Sequence, residues 1–234
     1  MKRDAKSPPA TRHVARRTKR GRKAYVMKSV KSGLEIRLES KDELALARLL
    51  DLDPRGQQLR AQGETYDLVR GEIHRTMPVS KAVNAQYYTV DLTDVVAGIT
   101  HVYEIKPKRF CAKNHGLFDL VEAFCQRNGM RFHVLSKEDF SKTLLTNIEL
   151  LHQFARQCQE MLDGWAQAVD NVENKQGHVK EVLKGLEPNS YFLMAALLKG
   201  VIKADIHSSS LLSMDFIVEP GHGDTSMLEV LRYE

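Results

Sequence analysis

Residues 88–108, read as YTVDLTDVVAGITHVYEIKPK, carry Asp91 on one apolar run and Glu104 and Lys106 on a second, with Ala97-Gly98 between the runs and Pro107 closing the second. Side chains two apart on a strand share a face. Glu104 and Lys106 therefore point the same way, and pairing of the runs across Gly98 brings Asp91 beside them. Two carboxylates a few ångströms apart repel, and one takes up a proton unless a cation lies between them. A divalent ion relieves that repulsion, and carboxylate and water oxygens are the hard ligands that Mg²⁺ or Mn²⁺ prefers. A lysine alongside can orient or deprotonate a water, or neutralise charge on a phosphate, while the metal acts as Lewis acid. The competing reading is an ordinary hairpin whose solvent face carries the same residues as a cross-strand ion pair.

Such a cluster needs elements to hold it. In IRLESKDELALARLLDLDP, the positions Leu38, Leu44, Leu46, Ala47, Leu49 and Leu50 recur at helical spacing. Ser40 is its N-cap, Glu43 the capping-box partner three residues on, and the helix stops before Pro54. On this spacing alone Glu43 closes a cap, among acids that are frequent here, Glu39 and Asp42 being its neighbours. Residues 57–70 alternate as one strand, interrupted by Gly71, and 74–86 read as a loop or irregular hairpin. Residues 114–128 form an amphipathic helix with Gly129 just past its end, and 131–135 a short strand. This order makes an α/β sandwich with a mixed sheet.

At 234 residues with 42% hydrophobic content, the chain can bury a core without staples. No apolar run approaches a membrane span and the charged start lacks a signal-peptide core, so the expectation is a cytoplasmic protein with no membrane role. Cys111, Cys125 and Cys158 are widely spaced and contain no CxxC, which fits reduced thiols. The net charge of +5 is unevenly placed: residues 1–31 hold twelve Lys and Arg against Asp4 alone, +11, leaving −6 on the other 203 residues. The run RHVARRTKRGRK, with Arg16, Arg17, Lys19, Arg20, Arg22 and Lys23, has little to bury. Residues 1–31 are therefore expected to form a disordered arm that neutralises DNA phosphates, or simply a solubilising end.

Several segments, in order, resemble the TnsA family of transposon-end endonucleases within the PD-(D/E)xK nuclease superfamily. These are LESKDELALARLLDLDP, LRAQGETYDL, VDL with YEIK, FCQRNGMRFHVLSKEDF and TNIELLHQF, spanning roughly residues 34–155. The resemblance implies a restriction-endonuclease-like core, a mixed sheet flanked by helices, over residues 32–145, followed by a helical, winged-helix-like domain over 146–234. It implies that Glu43, Asp91 and Glu104, with the Ile105 carbonyl, hold one or two Mg²⁺ ions that Mn²⁺ can replace, and that Lys106 is the catalytic lysine. Gln62 and Lys108 fall at DNA-facing positions. Val90 and Gly63 stand where relatives carry Pro, and Asp94 is an alternative to Asp91; three apart on a strand, only one of the two can serve.

The implied activity is hydrolysis of one strand at the 5′ ends of a transposon, in double-stranded DNA, alongside a DDE transposase (TnsB-like) and an AAA+ regulator (TnsC-like). The alternatives are a restriction, phage or repair nuclease of the same fold, and a non-catalytic DNA-binding assembly module. Towards the C-terminus, 147–165 and 179–186 read as helices and Trp165 as core rather than a base-stacking platform. PNSYFLMAALLKG starts a helix at Pro188, and VIKADI and LLSMDFIVE are short strands about HSSS, a helix and wing whose scarcity of basic residues favours protein docking. The last fifteen residues read as a tail.

Overall fold

The computed structural model describes residues 24–75 and 84–233. The basic run of residues 12–23, including Arg16, Arg17, Lys19, Arg20, Arg22 and Lys23, lies outside them. The chain is mixed α/β and divides into two compact units: residues up to Asp139, apart from 52–54, and the rest from Phe140 onward together with Leu52–Pro54. The expected break between 145 and 146 is thus displaced to Phe140. Ser141 caps the helix that follows, its hydroxyl accepting from the Leu144 amide.

In the first unit, β1 (Tyr25–Lys28) pairs antiparallel with β2 (Glu35–Leu38). The expected arm of residues 1–31 is therefore corrected from residue 24 on. Met27 is buried, and the Ser29 hydroxyl and Val30 amide donate to Asp51 at 2.6 and 2.7 Å, anchoring the turn. Helix α1 (Lys41–Leu52) buries Leu46, Ala47, Leu49 and Leu50. The strand expected over 57–70 is two short strands in different sheets, β3 (Arg60–Ala61) and β4 (Thr65–Asp67), because Gln62 at φ 50° turns the chain between them. β4 pairs with β5 (Glu72–His74) on one side and β6 (Tyr87–Thr89) on the other.

β7 (Leu92–Val96) and β8 (Ile99–Ile105) form the anticipated hairpin, joined by Ala97 and Gly98, both at positive φ. Two consecutive left-handed residues match the twist of a tight two-residue hairpin and fix its register. After β8 the chain passes through α2 (Lys108–Cys111) and α3 (His115–Arg127) and returns as β9 (Arg131–Leu135), parallel to β8. The sheet order is β3-β7-β8-β9, a mixed sheet. Gly129 at φ 68° ends α3 as expected. Tyr66, Tyr88, Val90, Val102, Val121, Phe124 and Cys125 pack between α3 and the strands, and Tyr66 stacks on Phe124 at 4.7 Å.

In the second unit, the helix expected over 147–165 is two, α4 (Lys142–Gln157) and α5 (Leu162–Asp170), broken at Cys158. The second expected helix shrinks to α6 (Val179–Val182), which follows β10 (Gly177–His178), and α7 spans Asn189–Leu198. β11 (Ile202–Lys203) and β10 flank β12 (Ile217–Pro220), so the two expected strands pair antiparallel and gain a third. Trp165 packs with Phe154, Tyr191 and Phe192, a core role. The terminal residues are tied down rather than trailing: the Gly221 and Gly223 amides donate to the Val201 and Gly200 carbonyls, and Leu228 is buried. Among the described residues no helix is long and apolar enough to cross a membrane.

Candidate active site

Glu43 sits in the first turn of α1 as the closing member of a capping box: the Ser40 hydroxyl accepts from the Glu43 amide at 3.0 Å, and the Glu43 carboxylate takes the Glu39 amide at 2.8 Å and the Ser40 hydroxyl at 3.0 Å. The cap reading is what these bonds show directly. Burial first, and Asp91 second, push Glu43 up to about 7.

Asp91 lies just before β7. Its Oδ2 accepts from the Ile105 amide at 2.9 Å and from Lys106 Nζ at 3.1 Å, and its own carbonyl accepts from the Gln62 amide at 3.0 Å. Glu104 and Lys106 share a face of the chain, as period two requires. Lys106 Nζ is 2.5 Å from Glu104 Oε1 and 3.3 Å from the Ile105 carbonyl. The Tyr88 phenol donates to the other oxygen, Oε2. Burial, with Asp91 adding to it, pushes Glu104 up to about 7 against the pull of Lys106 and Tyr88. Burial disfavours the Lys106 ammonium, but Asp91 and Glu104 outweigh it and hold its pKa above the usual lysine value.

Asp94 is not part of this group. Its Oδ1 accepts from the Gln57, Gln58 and Val95 amides at 3.1, 2.7 and 2.7 Å. A Cβ on Gly56 would stand 2.0 Å from its Oδ2. Asp94 therefore holds the 56–58 loop against β7 and leaves Asp91 as the aspartate facing Glu104 and Lys106. Gln62, expected on a DNA-facing surface, is corrected: it is 2% exposed and joined by its backbone to Asp91. Lys108 is exposed, with its ammonium 2.6 Å from Asp139 and its amide donating to Glu138. Tyr88 is the participant sequence reasoning missed. The signal was its alternation with Val90 on an apolar run, which marks a core position and says nothing of its hydroxyl.

The donor set suits a hard divalent ion. Glu43, Asp91 and Glu104 would offer carboxylate oxygens and Ile105 a carbonyl; burial is the main cause of the raised Glu43 and Glu104 values, and the negative charge of Asp91, which a cation would offset, adds to it. In this structure Lys106 fills that part. The trio whose ligand atoms do lie within 4.8 Å of one another, among the described residues, is Asp67, Glu72 and His74 on the β4–β5 hairpin. It reads as hairpin structure: Asp67 Oδ1 accepts from the Val69 and Arg70 amides, Arg70 Nε is 4.0 Å from Oδ2, and His74 Nε2 is 3.4 Å from Glu72.

A second buried polar group lies on β8 and β9, where His101 Nδ1 is 2.8 Å from His133 Nε2 and the rings stack at 5.1 Å. Burial, with His133 and Arg131 adding to it, pushes His101 down to about 4.

No family model and no curated protein matches the chain.

Proposed function

We propose that this chain is a metal-dependent DNA endonuclease with a restriction-endonuclease-like core, acting as the TnsA-like subunit that cuts one strand at transposon ends, and that its second unit is a winged-helix-like docking module. The observation that carries the reading is the convergence of Asp91, Glu104 and Lys106 at one end of an antiparallel hairpin. The parallel return of β9 after α3, giving a mixed sheet with the acids on its central hairpin, supports the same fold reading.

The reaction is phosphodiester hydrolysis: a water oxygen bonds to phosphorus, the bond to the 3′ oxygen breaks, and a 5′-phosphate and a 3′-hydroxyl result. Glu43, Asp91, Glu104 and the Ile105 carbonyl would hold Mg²⁺ or Mn²⁺, which supplies Lewis acidity toward the phosphate and its leaving oxygen. The chain's own groups do the rest. The Ile105 amide fixes the Asp91 carboxylate and the capping box fixes Glu43, so neither must be ordered when substrate arrives. Lys106, on a flexible stem with a side chain 33% exposed, can turn its ammonium to a water or a phosphate oxygen as negative charge develops. The partners of this reading are a DDE transposase, an AAA+ regulator and the DNA phosphates met by the basic run before residue 24.

The deciding experiment is strand nicking of transposon-end DNA with Mg²⁺ or Mn²⁺, with and without the cognate transposase, for wild type, Asp91→Ala and Lys106→Ala. Nicking by wild type that both variants lose supports the reading, and undiminished nicking by Asp91→Ala removes it. Cleavage needing no transposase points instead to a restriction, phage or repair nuclease.

A further inference from the structure

We infer that Tyr88 is a positioning residue for the acidic site: its phenol holds the Glu104 carboxylate in the orientation from which it binds a divalent ion. The inference rests on the nuclease reading above and adds a residue that reading does not need. Tyr88 belongs to the β5-β4-β6 sheet, paired with Tyr66, and not to the sheet that carries Glu104. Tyr88 as a whole is 8% exposed and lies in the core with Val102, Val121 and Phe124. Val102 is two residues from Glu104 on β8 and so shares its face. The phenol thus reaches Glu104 from a neighbouring sheet, across the core.

The two oxygens of Glu104 have unlike donors. Oε1 is held by Lys106, which is on a long stem and partly exposed, whereas Oε2 is held by a phenol whose ring the core immobilises. Lys106 can leave for solvent or phosphate; Tyr88 cannot. When Lys106 turns away, the hydrogen bond from Tyr88 still sets the carboxylate plane and presents Oε1 outward. Packing alone does not require the hydroxyl, because phenylalanine fills the same space. Without it a buried carboxylate oxygen loses its donor and the side chain its fixed rotamer.

The test is Mn²⁺ binding to the full chain, read by the paramagnetic resonance of free Mn²⁺, for wild type, Tyr88→Phe, Tyr66→Phe and Asp91→Ala. Loss of an outer hydrogen-bond partner to a metal-binding carboxylate typically costs about 10–100-fold in metal affinity, and Tyr88→Phe is expected to weaken Mn²⁺ at least about 10-fold. Tyr66→Phe removes a phenol from the same core, one bonded to Glu64 at 3.2 Å, and should leave Mn²⁺ affinity unchanged. Equal affinity in wild type and Tyr88→Phe, with binding lost in Asp91→Ala, overturns the role of Tyr88 and leaves the site standing. A wild type that binds no Mn²⁺ overturns the nuclease reading and this inference together. Should Tyr88→Phe fold poorly, wild type offers a second readout: Mg²⁺ should perturb its tyrosine ultraviolet spectrum, and a silent spectrum counts against the role.

Discussion

The carboxylate of Asp91 accepts a hydrogen bond from the backbone N–H of Ile105 at 2.9 Å, so the acid of one strand end is tied to the residue between Glu104 and Lys106 on the other. That bond is made whether or not Lys106 stays in place. It makes Asp91 the fixed point about which the other charges are arranged.

Asp91→Asn keeps an oxygen for the Ile105 amide and removes the charge. The nuclease reading expects cleavage to fall by at least about 10²-fold, while the metal-free melting temperature stays near that of wild type. Unimpaired nicking would show that the charge at this position does no chemistry.

Glu43 allows its two roles to be separated. Glu43→Ala opens the capping box and should cost about 1 kcal/mol of stability. Glu43→Gln retains an acceptor for the Glu39 amide and avoids burying a charge beside Asp91, so at pH 8 without metal it should melt no lower than wild type. It should nonetheless lose cleavage. A fully active Glu43→Gln would leave Glu43 as a cap only.

Mg²⁺ or Mn²⁺ at about 100 times its Kd should stabilise the wild type by about 2.7 kcal/mol, a rise of roughly 5–10 °C in melting temperature for a chain of this length. Asp91→Ala should show no such rise. Equal rises in both would place the ion elsewhere.

His101, pushed down to about 4 from 6.5, gives a pH signature apart from the acids. Between those values the unfolded chain binds a proton that the folded chain refuses, so this group withdraws stability as pH falls from about 6.5 towards 4. Glu43 and Glu104, with raised values, act in the opposite sense between about 4.5 and 7. The contribution of His101 is therefore the difference between wild type and His101→Gln. That difference should be flat above pH 7 and move steadily against wild type as pH falls from about 6.5 towards 4. Parallel curves would rule the effect out.

In the second unit, Gly200 has φ 65°, and a Cβ there would lie 2.6 Å from the Gly223 carbonyl carbon and 2.8 Å from the Asp224 carbonyl group. Gly200→Ala should cost about 2–4 kcal/mol from left-handed strain and overpacking. Unchanged thermal melting would contradict the packing of residues 221–224 on this turn.

How much of this was legible beforehand depended on how local the cause was. The Ser40–Glu43 cap, the Ala97-Gly98 turn and the stop at Gly129 are each set by a few adjacent residues, and their text suffices. The break at Gln62 depends on a non-glycine residue in a left-handed conformation that nothing in its sequence neighbourhood demands. The break at Cys158 lies inside an unbroken apolar stripe, and pattern alone carried the helix through it. In the candidate site, spacing brought Asp91 to Glu104 and Lys106, and the family resemblance brought Glu43. Tyr88 and the loop-holding role of Asp94 come from contacts between segments far apart in the chain, which no periodicity records. Gln62 was placed at a DNA-facing position by the family resemblance; here it is buried, its amide bonded to the Asp91 carbonyl.

The Ala97-Gly98 turn acts as a ruler. With two residues at the tip, Leu92 meets Tyr103 and the Asp91 end of one strand meets the Glu104 end of the other. Inserting or deleting a single residue there would change no charged group, yet it would slip the pairing by one position and exchange inside for outside along one whole strand. Glu104 and Tyr103 would trade places, the acid turning away from Asp91 and the phenol ring taking its seat. A turn at the far end of the hairpin from the acids thus has a length on which their meeting depends.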